Sequence, residues 1–217
     1  MLFRSLVDQG TLLALRAHYL RANGIAANGL LQAALALSQQ VSGVFNAYLA
    51  SYAFGRISGA TGANAIRDYT RRHWRPLVLA AGPAFALAMV LASPLLHLLY
   101  SARFDPARGM MVWALFGEFC RVMTQVWSLG SLPLGGRRLW MPIGLAAPVA
   151  LASVYPLLAP AGGLLALPLA GAAAGLFQLL VAGLLMSWRG VTPRAGDAVL
   201  LAAMVAGLAL LARAVAG

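Results

Sequence analysis

Apolar stretches of roughly 20 residues recur along nearly the whole chain, separated by short arginine-bearing or glycine-proline turns, and such segments belong in a bilayer. A hydrocarbon core about 30 Å thick is crossed by about 20 helical residues rising about 1.5 Å each. Lipid offers no partner to a backbone N–H or C=O, so each crossing must satisfy its own groups. The period-two alternation of barrel strands is absent, which leaves helices. Composition agrees, since 61% hydrophobic against 10% charged residues excludes an ordinary soluble domain. The expected fold is all-α, a polytopic transmembrane bundle of about seven helices over residues 3–20, 30–54, 76–99, 109–133, 140–160, 163–187 and 197–216.

The net charge of +11 comes entirely from arginine, sixteen of them against five acids, and the chain holds no lysine. These arginines gather in short connections rather than along one solvated face, so they read as topology signals and no nucleic-acid partner is expected. Arg56, Arg67, Arg71, Arg72 and Arg75 sit in the 55–75 segment, Arg137 and Arg138 in the next turn on that side, and Arg189 and Arg194 after the sixth span. Only Arg21, Arg103 and Arg108 fall opposite. The positive-inside rule then places residue 1 and the 55–75 segment in the cytoplasm, with Trp74, Trp140 and Trp188 at the headgroup level. Asp8 and Arg16 interrupt the first apolar run, unlike a cleaved secretory signal. The single cysteine, Cys120, rules out an intrachain disulfide and any cysteine-based metal site.

Charges inside spans are the functional clue, because ionisable groups at that depth face a bundle interior or a wet cavity. On the fourth span Glu118, Arg121, Gln125 and Ser128 share one face, with Glu118 and Arg121 three residues apart and able to pair. The second span carries a polar stripe of Gln32, Gln39, Ser42 and Asn46, fit either to glue helices or to line a cavity. Arg16 adds a positive charge to the first span, to face inward or to snorkel outward. Arg121, Arg16, Gln32, Gln39, Asn46 and Gln125 are therefore the candidate substrate-binding residues, and Glu118 the candidate ion-coupling carboxylate. No enzyme is expected: HExxH, GxSxG and paired carboxylates are all missing, and the five acids are scattered over five segments. No cofactor or metal is expected either, with His18, His73 and His97 far apart near helix ends.

Two blocks carry a family likeness. Arg16-Ala-His-Tyr-Leu20, Asn23-Gly24-Ile25, Gly29-Leu-Leu-Gln32-Ala33 and Ser38-Gln39-Gln40 form the first; Tyr100-Ser-Ala-Arg-Phe104-Asp105-Pro106-Ala107 with Trp113, Gly117-Glu118 and Arg121 forms the second. Together they resemble Wzx-type lipid-linked O-antigen flippases of the multidrug/oligosaccharidyl-lipid/polysaccharide exporter superfamily. The resemblance runs over most of residues 10–189 and matches the second of that family's two six-helix bundles. It implies a C-terminal bundle over residues 1–189 and a missing N-terminal six-helix partner bundle, and the transmembrane helix expected over 190–217 is additional to the family's pattern. It also implies a bacterial inner-membrane location and translocation of a polyprenyl-pyrophosphate-linked oligosaccharide for surface polysaccharide synthesis. A small-molecule or multidrug exporter of the same superfamily, or a non-transport subunit of a polysaccharide assembly system, are the alternatives.

Overall fold

The computed structural model describes residues 2–53, 63–191 and 194–216; Arg56 and the side chains of Asp8, Arg71 and Arg137 lie outside what is described. The described residues are almost all helical, with short turns between helices and no strand among them. In order come α1 (Leu2–Tyr48) ending in a π-helical turn, α2 (Ala63–Val90), α3 (Ala92–Leu99), a 3₁₀ segment (Ala102–Ala107), α4 (Arg108–Gly135), α5 (Arg137–Gly162) and α6 (Ala166–Trp188), with α7 (Ala195–Ala216) last.

α1 is not one rod. Gly24, at φ 84° and ψ 173°, leaves helical geometry in its middle, and a residue with a Cβ resists that conformation. Gln9 and Leu12 before the break border the same cavity as Leu31, Leu35 and Gln39 after it. On a straight helix Gln9 and Gln39 would stand about 45 Å apart. The second arm therefore turns back at Gly24 towards the first, so that both border one cavity.

The bend of 66° between α2 and α3 has a proline cause. Pro94 brings no N–H to the helix, and its ring collides with the carbonyl four residues earlier, that of Val90. The helix accordingly breaks at Leu91. Pro76 and Pro83 sit inside α2 without ending it.

α4 is the axis of the bundle, packed by α1, α2, α5, α6 and α7. Met110, Met111, Leu115, Phe119, Val122 and Met123 point to different sides of α4 and all are fully buried, as a helix surrounded by neighbours requires. Its closest neighbour is α6. A Cβ on Gly175 would lie 2.6 Å from the Gly117 carbonyl oxygen, and one on Gly117 would lie 3.1 Å from that of Gly171. Glycines here let two backbones touch, the small-residue packing used between membrane helices.

The expectation of about seven spanning helices is met only in part. Six long helical runs are present among the described residues, because the first two expected spans join into α1, and the 3–20 and 30–54 boundaries dissolve into one broken run. Two stretches, Arg138–Trp188 and Ala195–Ala216, combine the length and apolarity needed to cross a membrane, and the bent pair α2–α3 is a third if taken as one span. The remaining runs fall short for a physical reason: α1 and α4 spend positions on Arg16, Gln39, Glu118, Arg121 and Gln125. The 55–75 segment is also shorter as a connection than expected, since α2 already begins at Ala63.

Trp74 corrects a second expectation. It is fully buried and stacked on Trp127, with ring centroids 4.4 Å apart, so it is a core residue rather than an interfacial one. Trp188, by contrast, is 74% exposed. α7, the helix beyond residue 190, packs on α2 and α4, with Met204 filling the space beside Gly82.

Candidate functional site

The polar face of α4 opens onto a cavity of about 270 Å³ walled by both arms of α1 and by α5 and α6. Glu118, Arg121, Thr124, Gln125 and Ser128 supply one wall, Gln9 and Gln39 face it from α1, and Gln178 enters from α6. Leu12, Leu31, Leu35, Leu151 and Leu167 complete the lining, so polar groups are set into an apolar wall as in small-molecule sites. From Glu118 to Ser128 the polar row runs ten residues along α4, about 15 Å or half a bilayer's hydrocarbon thickness.

Arg121 Nη1 donates to Glu118 Oε1 at 2.7 Å, a short charge-assisted bond between residues about one helical turn apart. The two partners differ in access: the Glu118 side chain is 10% exposed and that of Arg121 is 38% exposed. The carboxylate is held in the wall while the guanidinium, with five N–H donors, extends into the cavity. Chemically this is an anion-receptive cation whose resident counter-charge can be exchanged, set among neutral amide and hydroxyl groups that suit a polar solute.

Of the residues expected at the site, Glu118, Arg121, Gln125 and Gln39 come together in the cavity. Three do not line it. Gln32 is exposed, because the packed face of its arm runs through Ala27, Leu31, Ala34 and Ser38, and Gln32 is turned about 100° from Leu31. Asn46 is half-buried away from the cavity with its Oδ1 buried and unpartnered. Arg16 is half-buried outside the lining, its Nε buried without a hydrogen-bond partner. Ser38 and Ser42 close the account of the α1 stripe: their hydroxyls donate to the carbonyls of Leu35 and Gln39, so they are satisfied within the helix.

Gln9, Thr124 and Gln178 were not singled out by sequence. Gln178 carried the clearest signal, as the only amide in the sixth span; it is buried and its Nε2 donates to the Ile143 carbonyl at 3.0 Å, tying α6 to α5. Gln9 lies beside Asp8 at the end of an apolar run, and only the fold-back at Gly24 brings it to the cavity.

A second polar cluster sits at the other end of the described connections. Ser93 Oγ donates to Asp105 Oδ1 at 2.9 Å, and His97 Nε2 lies 3.1 Å from the same oxygen. Serine, histidine and aspartate invite comparison with a catalytic triad, yet both partners meet one carboxylate oxygen and no serine–histidine bond is present to activate a nucleophile. The Ser93 hydroxyl, with His97 adding a smaller share, holds the exposed Asp105 carboxyl below the usual range. Among the described residues no three His, Cys, Asp or Glu side chains group to hold a metal ion.

No family model matches this chain, and no curated protein or solved structure matches it either. The likeness to Wzx-type flippases therefore rests on the two sequence blocks, of which the second contains both members of the central ion pair.

Proposed function

We propose that this chain is a membrane-embedded half of a transporter that moves a polyprenyl-pyrophosphate-linked oligosaccharide from the inner to the outer leaflet of a bacterial inner membrane. Its amino terminus is cytoplasmic, and, whether as a half-transporter or as a piece of a longer chain, it works with an N-terminal six-helix bundle that closes the cavity. The observation that carries this reading is the Glu118–Arg121 pair on the central helix, bonded at 2.7 Å and opening into a cavity lined by Gln9, Gln39, Gln125 and Gln178. Retaining two charges there costs desolvation that apolar residues would avoid, so use rather than stability explains them best. Arg121 offers the planar fork that fits phosphate oxygens, and the amides suit sugar hydroxyls. When phosphate takes Arg121, Glu118 is left to bind a proton or cation, which couples substrate movement to an ion gradient. No covalent chemistry is required of the chain.

A cavity of about 270 Å³ favours a second reading, a small-solute or drug exporter, since it is below the usual span of about 300–1,000 Å³ for ligand sites. The two readings part in vesicles. With a fluorescent polyprenyl-pyrophosphate glycan and the completing bundle present, the flippase reading expects Arg121→Ala to abolish translocation while Arg103→Ala, outside the spans, leaves it nearly intact. Arg121→Lys should recover only part of it, because an ammonium keeps the charge and loses the fork. Translocation by Arg121→Ala at the parent's rate and abundance refutes the headgroup assignment. Uptake of small cations without glycan transport selects the exporter.

A further inference from the structure

Three arginines meet where α2 begins and α6 ends. Arg67 Nε donates to the Gly190 carbonyl at 2.7 Å, which ties the start of α2 to the turn between α6 and α7. The same junction is visible from Gly130 on α4, where a Cβ would lie 3.2 Å from Ile66 and 3.4 Å from Met186. Gly190 takes φ 72°, and the Val191 amide donates back to the Met186 carbonyl at 3.0 Å with Val191 itself buried, so the turn is fixed. Arg189 immediately precedes that glycine and Arg194 stands at the start of α7, where its carbonyl accepts from the Asp197 and Ala198 amides. The side chains of Arg189 and Arg194 are exposed. Among the described residues no carboxylate pairs with any of the three guanidiniums; the ion pairs are His97–Asp105 and Glu118–Arg121.

An apolar strip runs from this corner along α6. Phe177, Leu180, Leu184 and Trp188 are all exposed and project within about 80° of one another. From Phe177 to Trp188 the strip is about 16 Å long, the hydrocarbon depth of one leaflet. The corner stands at the ends of the two stretches long and apolar enough to cross a membrane, Arg138–Trp188 and Ala195–Ala216. Unpaired cations above a leaflet-long apolar face, with an exposed indole at the boundary, match a ligand that is anionic at its head and hydrocarbon below. An orientation signal needs arginines on one side of the membrane and does not need them gathered at one junction over such a strip. A soluble phosphate would engage the guanidiniums and leave the strip unused. We propose that the Arg67–Arg189–Arg194 corner with Trp188 is a binding site for the headgroup of an anionic phospholipid whose acyl chains lie along α6 towards Phe177.

The surface is independent of what the cavity transports, and its test needs no transport. The full chain in detergent micelles is titrated with phosphatidylglycerol or phosphatidylcholine brominated on the acyl chains, and quenching of tryptophan emission is read. The part of the quenching that Trp188→Phe removes reports the site, since Trp74 and Trp127 are buried in the core. Phosphatidylglycerol is expected to half-saturate that part at a mole fraction about tenfold below phosphatidylcholine. Arg189→Gln and Arg194→Gln, both at exposed positions, should each cut the preference about fivefold, and the double variant should abolish it. Arg72→Gln is the charge-matched control: it is exposed at the same end of α2 but turned about 140° from Arg67, and it should leave the preference within about twofold. Equal half-saturation by the two lipids overturns the proposal. So does a fall in Arg72→Gln as large as in Arg194→Gln, which assigns the effect to the basic surface as a whole. Glycerol phosphate that displaces the brominated lipid at comparable concentration also overturns it, marking a site for soluble phosphate instead.

Discussion

Two acid–base pairs in this molecule are built from similar chemistry and placed in opposite surroundings. Glu118 and Arg121 meet at 2.7 Å on the central helix, with the carboxylate almost wholly enclosed; Asp105 and His97 meet at 3.1 Å between α3 and the following 3₁₀ segment, each about half exposed. Coulomb attraction between unit charges at such distances is about 1 kcal/mol in water and several-fold larger at the lower effective dielectric of a protein. The inner pair is therefore strong and expensive, since its carboxylate has been taken almost wholly out of water and its guanidinium in part, and breaking it strands the other. The outer pair is weak and cheap, screened by solvent and salt. What the contrast teaches is that enclosure, rather than pairing, makes a charge informative about function. The inner pair needs a reason to exist and the outer one does not.

The contrast breaks most directly at Glu118. Replacement by leucine leaves Arg121 without its counter-charge in the bundle, and the expected loss is about 2–4 kcal/mol, at or below the range for buried pairs because Arg121 is 38% open to the cavity. Pairing Glu118→Leu with Arg121→Met should recover most of that loss, as apolar substitutes for buried ion pairs usually do. Thermal unfolding of the two variants in detergent measures it. A double variant as unstable as the single one would show that the pair itself stabilises the folded bundle, and the functional reading would lose its physical basis.

A somewhat smaller effect is expected one helix away. Gly175→Ala places a methyl group against the Gly117 carbonyl, where an ideal Cβ would lie 2.6 Å from the oxygen. The α4–α6 crossing must widen at a cost of about 1–3 kcal/mol, and the wall carrying Glu118 shifts with it. Gly171→Ala is the control, because nothing lies within 4 Å of a Cβ there. Equal stability of the two variants would show that the crossing yields freely and does not set the cavity's shape.

How far this arrangement was legible in sequence differs between the two helices that build the cavity. On α4 the positions 118, 121, 125 and 128 share one side of a regular helix, and periodicity alone brought them together. On α1 the same arithmetic grouped Gln32, Gln39 and Asn46, yet only Gln39 reaches the cavity. Periodicity says which residues share a side and not which side the neighbours cover; that was decided by Leu31 and Ala34 packing inward. Gln9 was out of reach for another reason, because its approach depends on the reversal at Gly24, a tertiary event with a local trigger. The all-helical class followed from hydropathy, whereas the separate status of each span did not, since the polar residues that make a cavity also erase the apolar signal used to count crossings. Trp74 shows the same limit from the other direction: a tryptophan near a basic helix end fits a headgroup position, and a partner at Trp127 is invisible until the helices meet.

The smallest effect belongs to the outer pair, and it is read by titration rather than by stability. Asp105 is held below the ordinary carboxyl range chiefly by the Ser93 hydroxyl, with His97 adding a smaller share. A carboxyl depressed in the folded state contributes stability that is present above its unfolded pKa and is lost as pH falls through its folded one, so the contribution should fade only in acid, below about pH 4. Ser93→Ala should move the Asp105 midpoint upward, toward 3.8, in carboxyl-resolved NMR. His97→Gln should move it less, in keeping with the order of the two causes. Raising salt should shrink the histidine's part and spare the serine's, since a hydrogen bond at 2.9 Å is not screened as a charge is. A midpoint that responds to His97→Gln more than to Ser93→Ala would reverse the ranking and make the outer pair an electrostatic device after all, with the contrast to Glu118–Arg121 correspondingly weaker.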